Sequence, residues 1–309
     1  MSDTPTRRSK WNPGLPVVRA GVLAGCVLSL NVMAQSVVLV APQYKEPLKV
    51  IQHEIEKNIP NIDVSTFVIG QSTELTFNDH ILVTLGVSTL RYVSESGYAG
   101  PVISSYLSKI SEQRLQQEST LSPSIQRVAL YTEPSINSQM SLISKLYPRN
   151  PYIAVFLSDQ SGFLQTEIES AAKVHNISVN IQQVISAREI YASLSQNRYS
   201  AILAIPDDTI YNRNTIRAIL EVSYAENTAI VGYSPSLVQA GAIATTYTDE
   251  VAVAKAISDE IRSYQERGRF GPSRQIESRS VEINPHVANS LNILIEPKHL
   301  IEQSLRDVN

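Results

Sequence analysis

Short apolar runs alternate with amphipathic segments along nearly the whole chain. Residues 37–41, 81–85, 101–105, 127–131, 152–157, 201–205 and 228–231 are four to six residues long and mostly apolar. Such runs lack the in-out alternation of a half-exposed strand, so they read as strands buried on both faces, which is what a parallel sheet requires. Residues 61–69, 177–184 and 242–247 add further strand character. Between these lie segments of helical period. Residues 46–57 place Leu48, Ile51 and Ile55 on one side, and residues 249–266 do the same with Val253, Ile257 and Ile261. Residues 135–146, 162–174 and 188–195 complete the alternation, which predicts an α/β fold of parallel sheets flanked by helices. Ser88 stands where a helix N-cap is expected. The polar stretch 108–124 reads as an exposed segment or mobile loop, and residues 267–279, with Gly268, Gly271 and Pro272, as the clearest loop.

Residues 201–231 form the sharpest unit. An apolar run ends in Pro206-Asp207-Asp208, an amphipathic stretch opening near Tyr211 follows, and a second run ends in Gly232-Tyr233-Ser234-Pro235. This is a β-α-β pattern, and in open α/β sheets a ligand is met outside the carboxyl ends of the strands. Asp207, Asp208, Tyr233 and Ser234 therefore become candidate ligand contacts. By the same argument so do Gln43 and Tyr44, Gly86, Val87 and Ser88, and Ser158 and Asp159, each set following an expected strand. Gly86 lets a ligand approach the backbone, and helix-start N–H groups beside it suit a carboxylate. Each position also has a structural reading. Aspartates cap helices, and Gly232–Ser234 and Gly86–Ser88 also make ordinary turns.

The PDD run, the stretch GYSPSLVQAGAIATTYTDE at 232–250 and VEINPHVANSLNI at 281–293 resemble the substrate-binding proteins of ABC importers. The likeness is to the type I periplasmic-binding fold, in the branch that includes tryptophan and tyrosine binders. It implies two lobes around a central cleft that closes on a ligand. One lobe would comprise residues 35–132 and 248–279 and the other 133–247, with a closing strand and helix over 280–309. It further implies a small polar, amino-acid-like ligand, aromatic ones included, and a permease and separate ATPase as partners of a monomer. The Pro42-Gln43-Tyr44 loop departs from the family, where a histidine often stands nearby. A rival reading keeps the fold for a periplasmic sensor or scaffold reporting to a membrane receptor, kinase or envelope machine.

The N-terminus changes the picture of location. Arg7, Arg8, Lys10 and Arg19 precede an uncharged stretch, residues 20–34, that ends in Val32-Met33-Ala34. It is too short for the roughly 20 residues of a bilayer span and is laid out as a secretory signal peptide cleaved after Ala34, which predicts a periplasmic protein. Leu23-Ala24-Gly25-Cys26 matches a lipoprotein box. Only six residues separate Arg19 from Cys26, too few for a signal core. Cleavage after Ala34 would leave no cysteine, and loss of four of 26 basic and one of 29 acidic residues would move the net charge from −3 to −6. Neither this charge nor any basic stripe suits a nucleic-acid partner.

Little speaks for catalysis or cofactors. The five histidines (His53, His80, His175, His286, His299) show no metal-ligand spacing, and both the dinucleotide and P-loop glycine patterns are absent. Gly232-Tyr233-Ser234-Pro235-Ser236 imitates a nucleophile elbow, but proline has no N–H for an oxyanion hole. The expectation is a non-enzyme. Fourteen tyrosines beside five phenylalanines either reflect a tyrosine-rich surface or offer rings that stack and hydrogen-bond.

Overall fold

The computed structural model describes residues 36–43, 45–71, 80–118, 121, 123, 125–277 and 280–306. The expected signal peptide with Cys26, and Tyr44, lie outside the described residues.

The first part of the chain runs β1 (Val37–Ala41), α1 (Glu46–Asn58), β2 (Val64–Val68), β3 (Ile81–Leu85), α2 (Val87–Glu95), β4 (Pro101–Leu107), α3 (Lys109–Gln117) and β5 (Gln126–Tyr131). The second runs α4 (Ile136–Leu146), β6 (Tyr152–Leu157), a 3-10 turn (Gly162–Leu164), α5 (Gln165–Val174), β7 (Ser178–Gln183), α6 (Ala187–Gln196), β8 (Ala201–Leu203), α7 (Ile216–Ala225), β9 (Ala229–Val231), α8 (Pro235–Ala240) and β10 (Ala244–Tyr247). Then come α9 (Glu250–Arg267), β11 (Arg274–Gln275), β12 (Ser280–Ile283), α10 (Pro285–Ser290) and α11 (Lys298–Arg306).

Two six-stranded sheets result, ordered β11-β5-β4-β3-β1-β2 and β12-β10-β9-β8-β6-β7. Every pairing is parallel except β10 with β12. The central strands are the apolar runs. All five residues of β1 and of β3 are buried, because helices cover both faces of a parallel sheet. Strand order reverses between β1 and β3 and again between β6 and β8, so each lobe has the switch point at which α/β sheets open a crevice.

The chain crosses between sheets three times: from β5 into α4, from β10 into α9, and from β11 into β12. The second crossing carries α9 back onto the first lobe, where Val253, Ile257 and Ile261 pack with Leu48, Ile51 and Ile55 of α1. Burying each such side chain contributes roughly 1.5–3 kcal/mol, and Arg262 fastens the pair by donating to the Asn58 carbonyl at 2.6 Å. Asp249 caps α9 by accepting from Ala252 N at 2.9 Å.

Three local expectations are corrected. The helix after Asp208 opens at Ile216 rather than near Tyr211, because residues 207–215 form consecutive turns in which Asp207, Asn212 and Thr215 bind neighbouring backbone groups. Stretch 267–279 contains β11, which pairs with β5. Stretch 108–124 contains α3, capped by Ser108, which accepts from Ser111 N at 3.0 Å. α3 spans the lobes: Ile110 joins the apolar core of the second lobe and Leu115 that of the first.

Candidate functional site

Residues of both lobes and of the crossings line an open cavity of about 390 Å³. The first lobe supplies Tyr106, Leu107, Ser108 and Ser111 from the end of β4 and the start of α3. Crossing residues Thr132, Glu133, Tyr247, Thr248 and Glu250 form its back, and Pro206, Tyr233, Ser234 and Pro235 close it from the second lobe. Its size lies in the range of small-molecule sites.

Tyr106 is set by a β-bulge. The register of β4 against β5 shifts between Ser105 and Leu107, and Tyr106 takes φ 54°, in the left-handed region. That conformation costs about 1–2 kcal/mol for an L-residue, and bulges next to sites re-aim a side chain. The Tyr106 hydroxyl is buried and without a partner among the described residues. Burial, with Glu250 and Asp249 nearby, holds its pKa far above the ordinary phenol value, so it is a neutral donor and acceptor. Glu133 is half-buried. Its Oε1 accepts from Lys109 N at 2.9 Å, while Gln275 donates to its carbonyl. Desolvation pushes its carboxyl up to about 7, against the lowering influence of Lys109.

The candidates from the sequence divide. Tyr233 and Ser234 line the cavity, and Ser234 also caps α8 by accepting from Leu237 N. Asp207 and Ser158 do not, and the reason is geometric. Asp207 is fully buried, and its Oδ2 accepts from Ser158 N at 3.3 Å, Ser158 Oγ at 2.6 Å and Ser161 Oγ at 2.5 Å. Its Oδ1 accepts from Thr209 N at 3.0 Å. These bonds knit the loops at 158–161 and 207–209 together at the switch point of the second lobe. Asp208 points the other way, to Arg114 Nη1 at 2.6 Å across the lobes. Asp159 and Gln43 are exposed and outside this cavity.

Gly86 does what its type suggested, adopting φ 110° where β3 turns into α2, with its N–H donating to Ser105 O at 2.8 Å. It, rather than Ser88, is the N-cap residue, and Ser88 is exposed within the first turn. Val87 and Ser88 line a separate open concavity of about 640 Å³ with Ile69, Arg91, Tyr92 and Glu95. Sequence reasoning missed Tyr106, Ser108, Ser111, Glu133 and Glu250. A strand's end did mark Tyr106, but reading 108–124 as a loop hid the helix start beside it. Among the described residues no three His, Cys, Asp or Glu side chains converge as metal ligands.

Among the described residues two ion pairs bridge the lobes, both from α3: Arg114 to Asp208, and Lys109 Nζ to Glu167 of α5 at 3.0 Å. Solvent-accessible pairs contribute about 0.2–1 kcal/mol each, so together they bias the observed arrangement of the lobes about two- to thirty-fold. Reversing both cations (Lys109→Glu with Arg114→Glu) should expand the particle in small-angle scattering, most at low salt, and adding Glu167→Lys with Asp208→Lys should restore it. No expansion, or expansion that the reciprocal changes leave uncorrected, would show that the pairs do not hold the lobes.

Among solved structures, the chain is similar to a Streptococcus pneumonia ABC domain in complex with L-Trp (16% identity, TM-score 0.55, covering 86% of this chain and 97% of that one). A conserved domain protein of Vibrio cholerae matches at 15% identity and TM-score 0.54, over 87% of this chain and 98% of that one. The ligand-free, open form of a Clostridium difficile substrate-binding protein with adhesive properties matches at 10% identity and TM-score 0.61, over 85% and 96%. No protein-family model and no curated protein sequence matches. With two parallel-sheet lobes, three crossings and these neighbours, the chain has the type I periplasmic-binding fold seen in ABC-type substrate-binding proteins.

Proposed function

We propose that this protein is the periplasmic solute-binding component of an ABC importer, exported by residues 1–34 and holding a small polar, amino-acid-sized molecule between its lobes. The observation that carries this reading is the cavity itself, to which both lobes and the crossings contribute. A ligand that touches both lobes stabilises the closed form by its difference in affinity for the two states, and a permease can recognise that form. The L-Trp bound by the pneumococcal neighbour supports an amino-acid-like ligand, and the three tyrosines around the cavity accept an aromatic one. Ser234, the serine of the elbow-like motif, is engaged as a helix cap, and no histidine stands beside it among the described residues that line the cavity.

The test is a thermal-shift screen with amino acids, amines, sugars and nucleosides. A ligand that binds only the folded state adds about 2.7 kcal/mol at one hundred times its Kd. A shift confined to one chemical class is expected. Flat melting across the panel would favour the sensor or scaffold reading, with which the mutual bonding of Asp207, Ser158 and Ser161 is also compatible.

A further inference from the structure

Among the described residues, the charged side chains that line the cavity between the lobes are carboxylates, three tyrosines stand with them, and no basic side chain does. Glu133 stands at the first crossing and Glu250 in the first turn of α9, with Tyr106, Tyr233 and Tyr247 around them. Resting on the solute-binding reading, we propose that the cleft selects a small organic cation, an amine or quaternary ammonium without a carboxylate, anchored by Glu133 and Glu250 against the tyrosine rings.

Three observations carry this. First, among the described residues neither Glu133 nor Glu250 is held in an ion pair. Lys109 directs its ammonium to Glu167 at 3.0 and 3.2 Å and offers Glu133 its backbone N–H, so that its charge offsets the desolvation of Glu133 only in part. Tyr131 and Glu167 are the other titratable groups facing Glu133, and neither brings positive charge. A bound cation would relieve this desolvated negative charge, whereas an anion would meet repulsion.

Second, the helix starts at the cavity are already capped. At α3, Ser111 N is taken by Ser108 Oγ and Lys109 N by Glu133. At α9, Ala252 N is taken by Asp249, and at α8, Leu237 N by Ser234 Oγ. Four of the N–H groups at these helix starts are thus engaged by the protein's own side chains and are not offered to a ligand carboxylate. Gly86–Ser88, the stretch from which such a grip was expected, does not line this cavity.

Third, Tyr106 has a buried hydroxyl without a partner among the described residues and a backbone held in the left-handed region by a bulge, an arrangement that persists only where the surrounding structure imposes it. Aromatic rings together with carboxylates are a usual means of holding an ammonium.

Calorimetry on the purified full chain decides the matter with tyramine and tyrosine, which differ only by a carboxylate, and with choline and glucose. Tyramine or choline should bind at least tenfold more tightly than tyrosine. The affinity should fall about tenfold per pH unit below 7, because Glu133 takes up a proton there while the amine keeps its charge. Glu133→Gln, and independently Glu250→Gln, should weaken the amine at least tenfold while circular dichroism stays unchanged. The second variant keeps the test valid if the first fails to fold. Tyrosine or glucose binding more tightly than either cation would overturn the cation assignment while leaving the solute-binding reading intact. Binding by none of the four at millimolar concentration would overturn the cation assignment, and the broader screen then decides the solute-binding reading.

Discussion

Asp207→Ala should lower folding stability by about 3–4 kcal/mol, more than it changes any ligand affinity. The carboxylate is wholly buried and accepts from four donors on two loops: Ser158 N and Oγ, Ser161 Oγ and Thr209 N. Alanine leaves these donors without their acceptor and without water. Part of the loss is recoverable, since Ser158 N already bonds Ser161 Oγ at 2.9 Å and Ser161 Oγ lies 3.4 Å from Ser158 O. That is why the expected cost is below the sum of four charge-assisted bonds, each worth about 1.5–3 kcal/mol. Asp207→Asn should fall between, because one oxygen remains while the amide nitrogen faces donors. Urea unfolding reads the difference directly. A midpoint for Asp207→Ala equal to wild type, with ligand affinity lost, would return the aspartate to the cleft and sink the structural role assigned here.

The position of Asp207 also shows how far the sequence reaches. A strand end after Ala201–Leu203 was legible, because a short apolar run closed by Pro206 allows little else. Which way two adjacent aspartates point was not legible, since that depends on Ser158 and Ser161 arriving from β6, almost fifty residues earlier. The same holds for the cavity. The strands and helices that frame it follow local periodicity, and β1, β3 and β6 coincide with the apolar runs residue for residue. Glu133 lies between a strand and a helix, with nothing local to distinguish it from a linker residue. It becomes a site residue through α3 and β11, which bring Lys109 N and Gln275 to it. Tyr106 is marked by a bulge, a property of the pairing between β4 and β5 rather than of either strand.

α3 is where sequence reasoning failed most, and Glu112→Ala is the substitution that exposes why. Only Ile110 and Leu115 give this helix an apolar face, and they pack into different lobes, so periodicity alone reads the stretch as solvent-facing. What completes its inner face is a carboxylate. Glu112 is 4% exposed, receives Arg127 on one oxygen and the Tyr131 hydroxyl on the other, and Arg127 continues to Ser104 Oγ at 3.0 Å. Burial and this hydrogen bond to Glu112 keep Tyr131 protonated well beyond the ordinary phenol range. Removing Glu112 strands a guanidinium that β5 holds in place, and losing one partner of a buried pair costs about 3–5 kcal/mol. Glu112→Leu with Arg127→Met should recover most of that, because the pair together is worth far less than its broken half. Since α3 carries Lys109 and Arg114, the single variant should also loosen the contact between lobes, seen as faster hydrogen exchange in residues 109–117 than in α4. Wild-type stability and unchanged exchange in Glu112→Ala would mean that Ile110 and Leu115 suffice. A double variant as unstable as the single one would mean that the polar cluster shapes α3 in a way apolar side chains cannot replace.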